Sequence, residues 1–279
     1  MKVTFFGTTV LLFDDGINQI LFDAHITRPS INRVFWGRLQ TNEKLADEII
    51  EKHHLDRLSA IFISHSHYDH VLDAPYFANK CGAYLYGSKS TLNVARGGSV
   101  PEEQLKQFHA DETICIGDYK ITVLASCHSK AHWYNDDLGK TIDSPVALPA
   151  RKNEFKEGGS FDFLIENGGK KYLIRPSFNY IAGQLDGINA DVLFLSIGGM
   201  SDATEETIQQ FFKETVEKVK PKIVIPIHWD NFFAPLNRTK KDLSSVVIKS
   251  KKELLELAEY FEGSDISLCV QLPLTSMEF

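Results

Sequence analysis

The chain has few cysteines and lacks both a long apolar run and a leader pattern, and each feature excludes a class of protein. Its four cysteines are far apart, at positions 81, 115, 127 and 269, which indicates free thiols rather than a disulfide framework. No segment approaches the roughly 20 apolar residues that a membrane-spanning helix needs. Residues 1–7 lack the features of a secretory signal. We therefore expect a cytoplasmic protein without a transmembrane segment.

Basic residues are also in the minority. The chain has 30 Lys and Arg residues against 37 Asp and Glu residues, for a net charge of −7. This balance disfavours a nucleic-acid partner and favours a small-molecule substrate. A length of 279 residues with 43% hydrophobic residues supports a sizeable core. Since no low-complexity tract or linker divides the chain, we expect one domain over 1–279, while the oligomeric state stays open.

Short apolar runs alternate with amphipathic segments along the chain. The pattern predicts a β-meander over 3–22 and an irregular stretch over 27–40. It also predicts helices over 42–53 and 251–261 and a last strand over 266–272. Glycine-containing turns inside 114–125 and 161–174 predict two β-hairpins. Strands that alternate with helices indicate a layered α/β body around one core.

The most informative segment is 60–70, where an apolar run leads into three histidines and one aspartate: His65, His67, Asp69 and His70. Imidazole and carboxylate groups are the ligands of zinc and related divalent ions. In an extended chain, side chains at i and i+2 point the same way, so His65 and His67 project together. Asp69 and His70 follow where the chain turns. The ligands in this one loop therefore predict two neighbouring metal positions.

Two further histidines follow apolar runs in the same manner. His128 comes after the run 121–125, and His228 comes after the run 223–227. Loops at one edge of a rigid sheet converge, which is how ligands that are distant in sequence assemble into one site. We therefore add both histidines to the candidate ligands.

With these residues in view, the chain resembles the hydrolases of the metallo-β-lactamase fold over nearly its whole length. The resemblance rests on the His-x-His-x-Asp-His motif and on features in the family's order, namely the Gly7 meander, the Leu21-Phe22-Asp23 strand end, His128 and His228. It implies a four-layer αββα sandwich of the α/β class, with metals at one end between two sheets. Within the superfamily, the chain looks most like the branch of ascorbate-6-phosphate lactonases and N-acylphosphatidylethanolamine-type phospholipases D.

The resemblance also implies a division of the ligands between two divalent ions, zinc in the first instance, with manganese or iron as alternatives. The implied sets are His65, His67 and His128 for one ion, and Asp69, His70 and His228 for the other. Asp23 and Asp230 then stand where carboxylates orient ligand imidazoles from outside.

One segment departs from the family's pattern. Many members carry Gly-Asp-Thr where this chain reads Arg175-Pro176-Ser177, and that aspartate bridges the metals. Either the second metal binds more weakly here, or a bridging hydroxide holds the pair, as in a subgroup of true metallo-β-lactamases with serine at this point. Arg175 offers a fixed cation for a substrate carboxylate or phosphate. Further candidates for substrate contact are Ser177, Tyr68, Trp133, His132, Tyr134, Phe35 and Trp36.

The first functional hypothesis is a metal-dependent hydrolase in which a metal-bound hydroxide cleaves a small ester, lactone or amide. In this hypothesis Asp69 both binds metal and accepts the nucleophile's proton. The alternative is a phosphodiesterase that acts on a nucleotide or phospholipid head group. A redox protein with an iron pair expects glutamate in place of His67 together with a flavin domain, and a non-catalytic binding scaffold has no need of six intact ligands.

Overall fold

The computed structural model describes residues 1–130, 137–238 and 249–279, and its centre is a pair of seven-stranded sheets. The first sheet contains, from edge to edge, β14 (Thr275–Glu278), β1 (Lys2–Gly7), β2 (Val10–Asp14), β3 (Gln19–Phe22), β4 (Leu58–Phe62), β5 (Tyr84–Gly87) and β6 (Leu105–Gln107). The second contains β13 (Ser267–Leu268), β12 (Ile223–Ile227), β11 (Val192–Ser196), β10 (Lys170–Arg175), β9 (Ser160–Asn167), β8 (Tyr119–Ser126) and β7 (Thr113–Ile116). With helices flanking both sheets, the predicted αββα sandwich is confirmed.

Both sheets combine an antiparallel half with a parallel half. In the first, β14, β1, β2 and β3 pair antiparallel, and β3 to β6 pair parallel. In the second, β7 to β10 pair antiparallel, and β10 to β13 pair parallel. Since β9 is antiparallel to both β8 and β10, strands β8 and β12 end at the same edge of their sheet. The loops after these two strands therefore start near each other.

The helices of the described residues are short, and several are amphipathic. They are α1 (Ile31–Trp36), α2 (Glu43–Lys52), α3 (Tyr68–Val71), α4 (Ala74–Cys81), α5 (Lys89–Gly97), α6 (Glu205–Glu214), α7 (Val216–Val219) and α8 (Ser250–Tyr260). Ile49 of α2 and Phe77 of α4 bury against the first sheet, in one cluster with Leu12 and Ile61. The side chain of Asn42 caps α2 by accepting the Leu45 N–H.

Aromatic side chains fill the space between the sheets. The ring centroids of Phe22 and Phe163 lie 5.3 Å apart, those of Phe13 and Tyr172 lie 5.5 Å apart, and those of Phe62 and Phe163 lie 5.8 Å apart. All five rings are at most 1% exposed. Offset and edge-on pairs of this kind add about 0.5–1.5 kcal/mol each beyond the burial of their area. They fix the spacing of the two sheets, and with it the spacing of the loops at their edge.

Two sequence-based predictions of local structure need correction. Residues 27–40 are not irregular throughout, because α1 lies within them. Only β13, with two residues on the second sheet, lies within the expected last strand over 266–272; the chain then crosses to β14 on the first sheet, beyond the predicted range. Pro273 stands at the crossing, where it cannot donate to a ladder. Both predicted hairpins are present, as β7–β8 and β9–β10.

Two expectations from composition concern the thiols and membrane-spanning helices. All four cysteines are free thiols. Within the described residues, no helix combines the length and the apolar character that crossing a membrane requires.

Candidate metal centre

Loops from both sheets bring the predicted ligands together. The loop after β4 carries His65 and His67, and α3 begins at once with Asp69 and His70 in its single turn. From the second sheet, the loop after β8 carries His128, and His228 directly follows β12. The ligand atoms form two groups, each with all its atoms within 4.8 Å of one another: His65, His67 and His128 in the first, and Asp69, His70 and His228 in the second. This is the division that the sequence resemblance implied.

The first group consists of three rings that meet edge to face. The Nδ1 atom of His67 lies 3.2 Å from Nε2 of His128. The ring centroid of His65 lies 4.9 Å from that of His67 and 4.8 Å from that of His128. Two ligand atoms at about 2 Å from one tetrahedral zinc ion lie ~3.3 Å apart. The spacing of the inner nitrogens therefore suits a shared ion.

The outer nitrogen of each ring in this group has an acceptor. His67 Nε2 lies 3.2 Å from Oδ2 of Asp137, His128 Nδ1 lies 2.9 Å from the Ser129 carbonyl oxygen, and His65 Nδ1 lies 3.1 Å from Oγ of Ser64. A neutral ring that donates through its outer N–H turns a lone pair inward. His67 and His128 then face each other with two lone pairs, which repel unless a cation lies beside them.

The inner nitrogen of His65 points to the same conclusion. Its Nε2 atom is buried and has no hydrogen-bond partner among the described residues. Leaving such an atom unpaired in the interior costs roughly 1–3 kcal/mol. A cation at the centre of the three rings would remove this cost, so the residues present fit a metal ion.

The second group is arranged around the carboxylate of Asp69. Its Oδ2 atom lies 3.9 Å from Nε2 of His70 and 3.7 Å from Nε2 of His228. Both separations exceed a hydrogen bond and agree with ligands that share one ion. The outer nitrogen of His70 lies 2.7 Å from Oδ2 of Asp23, which leaves its Nε2 free to bind. Centroids of the His65 and His70 rings lie only 3.7 Å apart, so the two groups are neighbours.

Two imidazoles of the first group have the neutral form that a metal ligand requires. Burial holds the pKa of His65 well below its ordinary value and lowers the pKa of His128 to about 3, so these rings are neutral. Burial alone would raise the pKa of Asp69, but the imidazoles of His70 and His228 outweigh it and hold that pKa well below the usual range. Burial works against the charged form of His228, but the contact with Asp69 outweighs it and raises the pKa of that imidazole above its ordinary value. The second group thus contains an ionised carboxylate.

The two aspartates that were expected to orient imidazoles behave differently. Asp23 contacts His70 directly and is itself held by the hydroxyl of Thr9, which donates to Oδ2 at 2.6 Å. The expectation for Asp230 is wrong, because its carboxylate hydrogen-bonds no ligand imidazole in the part of the chain that the structure describes. It accepts the Thr8 N–H at 2.6 Å and pairs with Arg28 at 2.7 Å.

Asp230 instead supports the backbone around His228. The carbonyl oxygen of Thr8 accepts the His228 N–H at 2.5 Å, so Thr8 links the two residues. Thr8 and His228 both have positive φ, +53° and +58°, which costs of order 1–3 kcal/mol per residue and persists only where the surroundings enforce it. A Cβ on Gly7 would lie 1.9 Å from Nη2 of Arg28, so only glycine fits there.

The two ligand groups open into a cavity of about 880 Å³. Of the predicted substrate-contact residues, Tyr68, Ser177 and Phe35 line this cavity. Trp36 is 77% exposed and lies outside the described lining. Trp133, His132 and Tyr134 fall within 131–136, outside the described residues.

The proposed role of Arg175 in substrate contact is contradicted by its position. The side chain is completely buried. Its Nη1 atom lies 3.3 Å from Oδ2 of Asp162, and its Nη2 donates to the Asn179 carbonyl oxygen at 2.9 Å. As the last residue of β10, Arg175 turns into the body of the protein, a direction that the sequence left open. A substrate in the cavity therefore does not reach its guanidinium.

Two residues at the site have no local sequence pattern that would have predicted their role. Asp137 lies in a long loop, where no period or spacing marks it, and its carboxylate orients His67 while it accepts the Glu157 N–H at 3.1 Å. Glu253 lines the cavity from α8, and its Oε1 accepts the Gly199 N–H at 2.8 Å. Its position in the first turn of a predicted helix does not predict that its carboxylate is buried.

Comparison with known proteins identifies the family to which the chain is similar. The family described as "Beta-lactamase superfamily domain" matches residues 18–229. A UPF0173 metal-dependent hydrolase of Myxococcus xanthus is 32% identical over 177 residues, which cover 63% of this chain and 57% of that protein. A UPF0173 protein of Pyrococcus furiosus is 21% identical over 257 residues, or 90% of this chain and 97% of that protein. The chain thus spans little more than half the length of the first relative and nearly all of the second.

A solved structure shows the same fold. The metallo hydrolase Igni18 from Ignicoccus hospitalis superposes with a TM-score of 0.62 at 17% identity, covering 100% of this chain and 98% of that chain. At this identity the likeness concerns the fold alone. The six ligand positions in the present chain therefore stand on its own geometry.

Proposed function

Because the chain belongs to the β-lactamase superfamily, we propose that it is a metal-dependent hydrolase that cleaves a small ester, lactone or amide. The observation that carries the proposal is the pair of ligand groups, together with the buried inner nitrogen of His65, which has no hydrogen-bond partner among the described residues. When bound, divalent ions supply a Lewis acid and a water molecule that ionises near neutral pH. The Myxococcus relative carries the name of a metal-dependent hydrolase.

Two ions, with zinc as the first choice, suit the two ligand groups. The first group offers three imidazoles, and the second offers two imidazoles and a carboxylate. Histidine-rich sets of this kind favour zinc, while manganese and iron remain alternatives. Ser177 stands in place of a bridging aspartate and lines the cavity. Occupancy of the second group therefore depends on Asp69, His70 and His228 without a further carboxylate from this segment.

Within the proposal, the chain's own residues bind, orient and move a proton. Asp69 is ionised, half-buried and part of the cavity lining, so it is placed to accept the proton of the attacking water. Asp23 fixes the ring of His70, and Asp137 fixes the ring of His67. Phe178 and Phe232 line the cavity and exclude bulk water from the reacting groups.

A substrate panel tests the proposal. The full chain, loaded with zinc, is assayed against p-nitrophenyl acetate, a δ-lactone, an anilide and bis-p-nitrophenyl phosphate. We expect turnover of an acyl substrate that His65→Ala abolishes, since this variant removes one inner nitrogen, while the circular dichroism spectrum stays that of a folded protein. His109→Ala, in a connection outside both groups, serves as the matched control and should retain activity.

Other outcomes of the panel have definite meanings. Turnover of the phosphodiester alone would replace the acyl hydrolase by the phosphodiesterase. Absence of turnover on every substrate by protein that holds two zinc ions per chain would contradict the proposal and favour a binding scaffold. Cytoplasmic location and a small-molecule substrate without nucleic acid stay predictions.

A further inference from the structure

One wall of the cavity is basic, although the chain as a whole is acidic. Four cations from a single segment line it, namely Lys140, Arg151, Lys152 and Lys156, and Lys130 lines the cavity nearby. We call the four residues of this segment the basic wall. The net charge of the chain is −7, so a concentration of positive charge at one side of the substrate cavity is a local feature rather than a reflection of composition.

Three of the four cations of the basic wall have no acidic partner among the described residues. Among the described residues, Lys140, Arg151 and Lys156 form no ion pair, and Lys152 lies over the ring of Phe35 at 5.1 Å.

The acids of the same segment are engaged elsewhere. Glu154 accepts the backbone N–H of Arg151, Glu157 accepts from the Gly139 N–H and the Ser160 hydroxyl, and Asp143 pairs with Lys89. Among the described residues, none of these acids forms an ion pair with Lys140, Arg151 or Lys156.

Hydrogen bonds tie the basic wall to the metal-binding loop. Ser66 stands between His65 and His67, and its hydroxyl donates to the Lys156 carbonyl oxygen at 2.6 Å. The Gly158 N–H donates to the Lys140 carbonyl oxygen at 3.0 Å. The backbone of the wall is therefore held in a fixed relation to the first ligand group, so its charges act at a defined side of the site.

The remaining acids in the cavity lining already have partners. Asp69 belongs to the second ligand group, Asp137 holds His67, Asp202 pairs with Lys249, and Glu253 accepts the Gly199 N–H. Aromatic side chains, including Phe35, Phe155 and Phe178, line the same cavity. The cavity lining thus combines the two ligand groups, apolar surface and the cations of one segment.

From this arrangement we propose that the substrate carries an anionic group, a carboxylate or a phosphate, apart from the bond that is cleaved, with an apolar body between them. The basic wall binds the anion while the scissile group lies at the ligand groups. This inference rests on the proposed hydrolase function and names the class of its substrate. Long-range attraction of such a substrate also raises its rate of entry.

Binding measurements on the full chain test the inference independently of turnover. Calorimetric titrations compare hexyl phosphate, hexanoate and hexanol, which share an apolar body and differ in charge, with zinc present and after chelation. We expect both anions to bind more tightly than the alcohol in both conditions. Single substitutions Lys140→Gln and Lys156→Gln should each weaken anion binding by about two- to fivefold, and the double variant by about tenfold. Comparing the two anions identifies which head group is preferred.

Lys170→Gln is the matched control, because it removes the same charge at the first residue of β10, outside the cavity lining. Equal anion affinity in wild type, wall variants and control would overturn the inference. Binding that is lost on chelation but unaffected by the wall variants would also overturn it, since the ions alone would then capture the anion. Retained charge-dependent binding without turnover on the substrate panel would contradict the hydrolase proposal instead.

Discussion

At the scale of single residues, the outer hydrogen-bond partners decide what the candidate centre can hold. Four different acceptors fix four ligand rings: a hydroxyl for His65, carboxylates for His67 and His70, and a carbonyl for His128. An imidazole whose outer N–H is engaged presents its other nitrogen as a lone pair. The direction of each lone pair is thus set by groups outside the ligand set.

Asp137 and Asp23 form a matched pair for testing this role. Asp137→Asn should lower the affinity of the first ligand group for zinc, and Asp23→Asn that of the second, by about 10–100-fold each. The asparagine amide keeps the volume but is a weaker acceptor for the imidazole N–H. Competition titration with a chromophoric chelator measures both affinities. Asp118→Asn, in the exposed turn between β7 and β8, is the control.

Separate roles are supported if Asp137→Asn weakens zinc binding only at the first ligand group and Asp23→Asn weakens it only at the second. Unchanged affinity in Asp137→Asn would show that the contact with His67 orients nothing. The test does not depend on knowing the substrate, because its readout is the number and strength of bound ions.

At the scale of elements, helix α8 supports the site through one buried carboxylate. Glu253 is 3% exposed and accepts the Gly199 N–H. A Cβ on the neighbouring Gly198 would lie 2.7 Å from the carbonyl oxygen of His228, so this turn packs directly on a ligand residue. Burial raises the pKa of Glu253 to about 7 from the ordinary 4.5.

The raised pKa has a consequence for stability. Between pH 4.5 and 7 the folded chain holds a proton on Glu253 that the unfolded chain has lost, so this residue makes the folded state less stable as pH rises. Glu253→Gln keeps the hydrogen-bond acceptor and removes the titration. Relative to wild type, the variant should gain about 1–3 kcal/mol of unfolding free energy between pH 5 and pH 8.

Urea unfolding of chelator-treated protein at the two pH values measures this difference. Glu259→Gln, on the same helix and exposed, should follow the wild type at both pH values. A constant offset between Glu253→Gln and wild type across the range would mean that the carboxyl is ionised at pH 5 in the folded chain.

The ends of the strands explain which site residues could be predicted from the sequence. His65, His67, His128 and His228 were found because a strand end is a local pattern, and parallel strands that end at one edge bring such patterns together. Arg175 was misjudged because the direction in which a strand's last side chain points depends on which face the other sheet covers.

Features that depend on distant contacts had no local pattern. Asp137 reaches His67 across 70 positions of sequence, and Glu253 reaches Gly199 across 54. The expected last strand over 266–272 failed for a related reason. Its apolar residues continue past Leu268, where β13 ends, and the chain pairs with a sheet again only in β14, beyond the predicted range.

At the scale of the whole molecule, each ligand group joins the two sheets. His65 and His67 come from the first sheet and His128 from the second, while Asp69 and His70 come from the first sheet and His228 from the second. An ion bound to either group therefore holds both sheets together. Since the unfolded chain offers no assembled site, metal binding is expected to stabilise the fold as a whole.

Thermal unfolding with and without zinc tests this coupling. Free zinc at about 1,000 times the dissociation constant should add ~4 kcal/mol to the unfolding free energy, which for a chain of this size raises the melting temperature by on the order of 10 °C. His128→Ala and His228→Ala should each lose part of the increase, because each cuts one link from the second sheet. His109→Ala should keep all of it. The contrary result is an equal melting temperature with zinc and with chelator, in protein shown to bind the ion. It would mean that the ligands of one sheet suffice to bind the ion and that the metal centre does not hold the two sheets together.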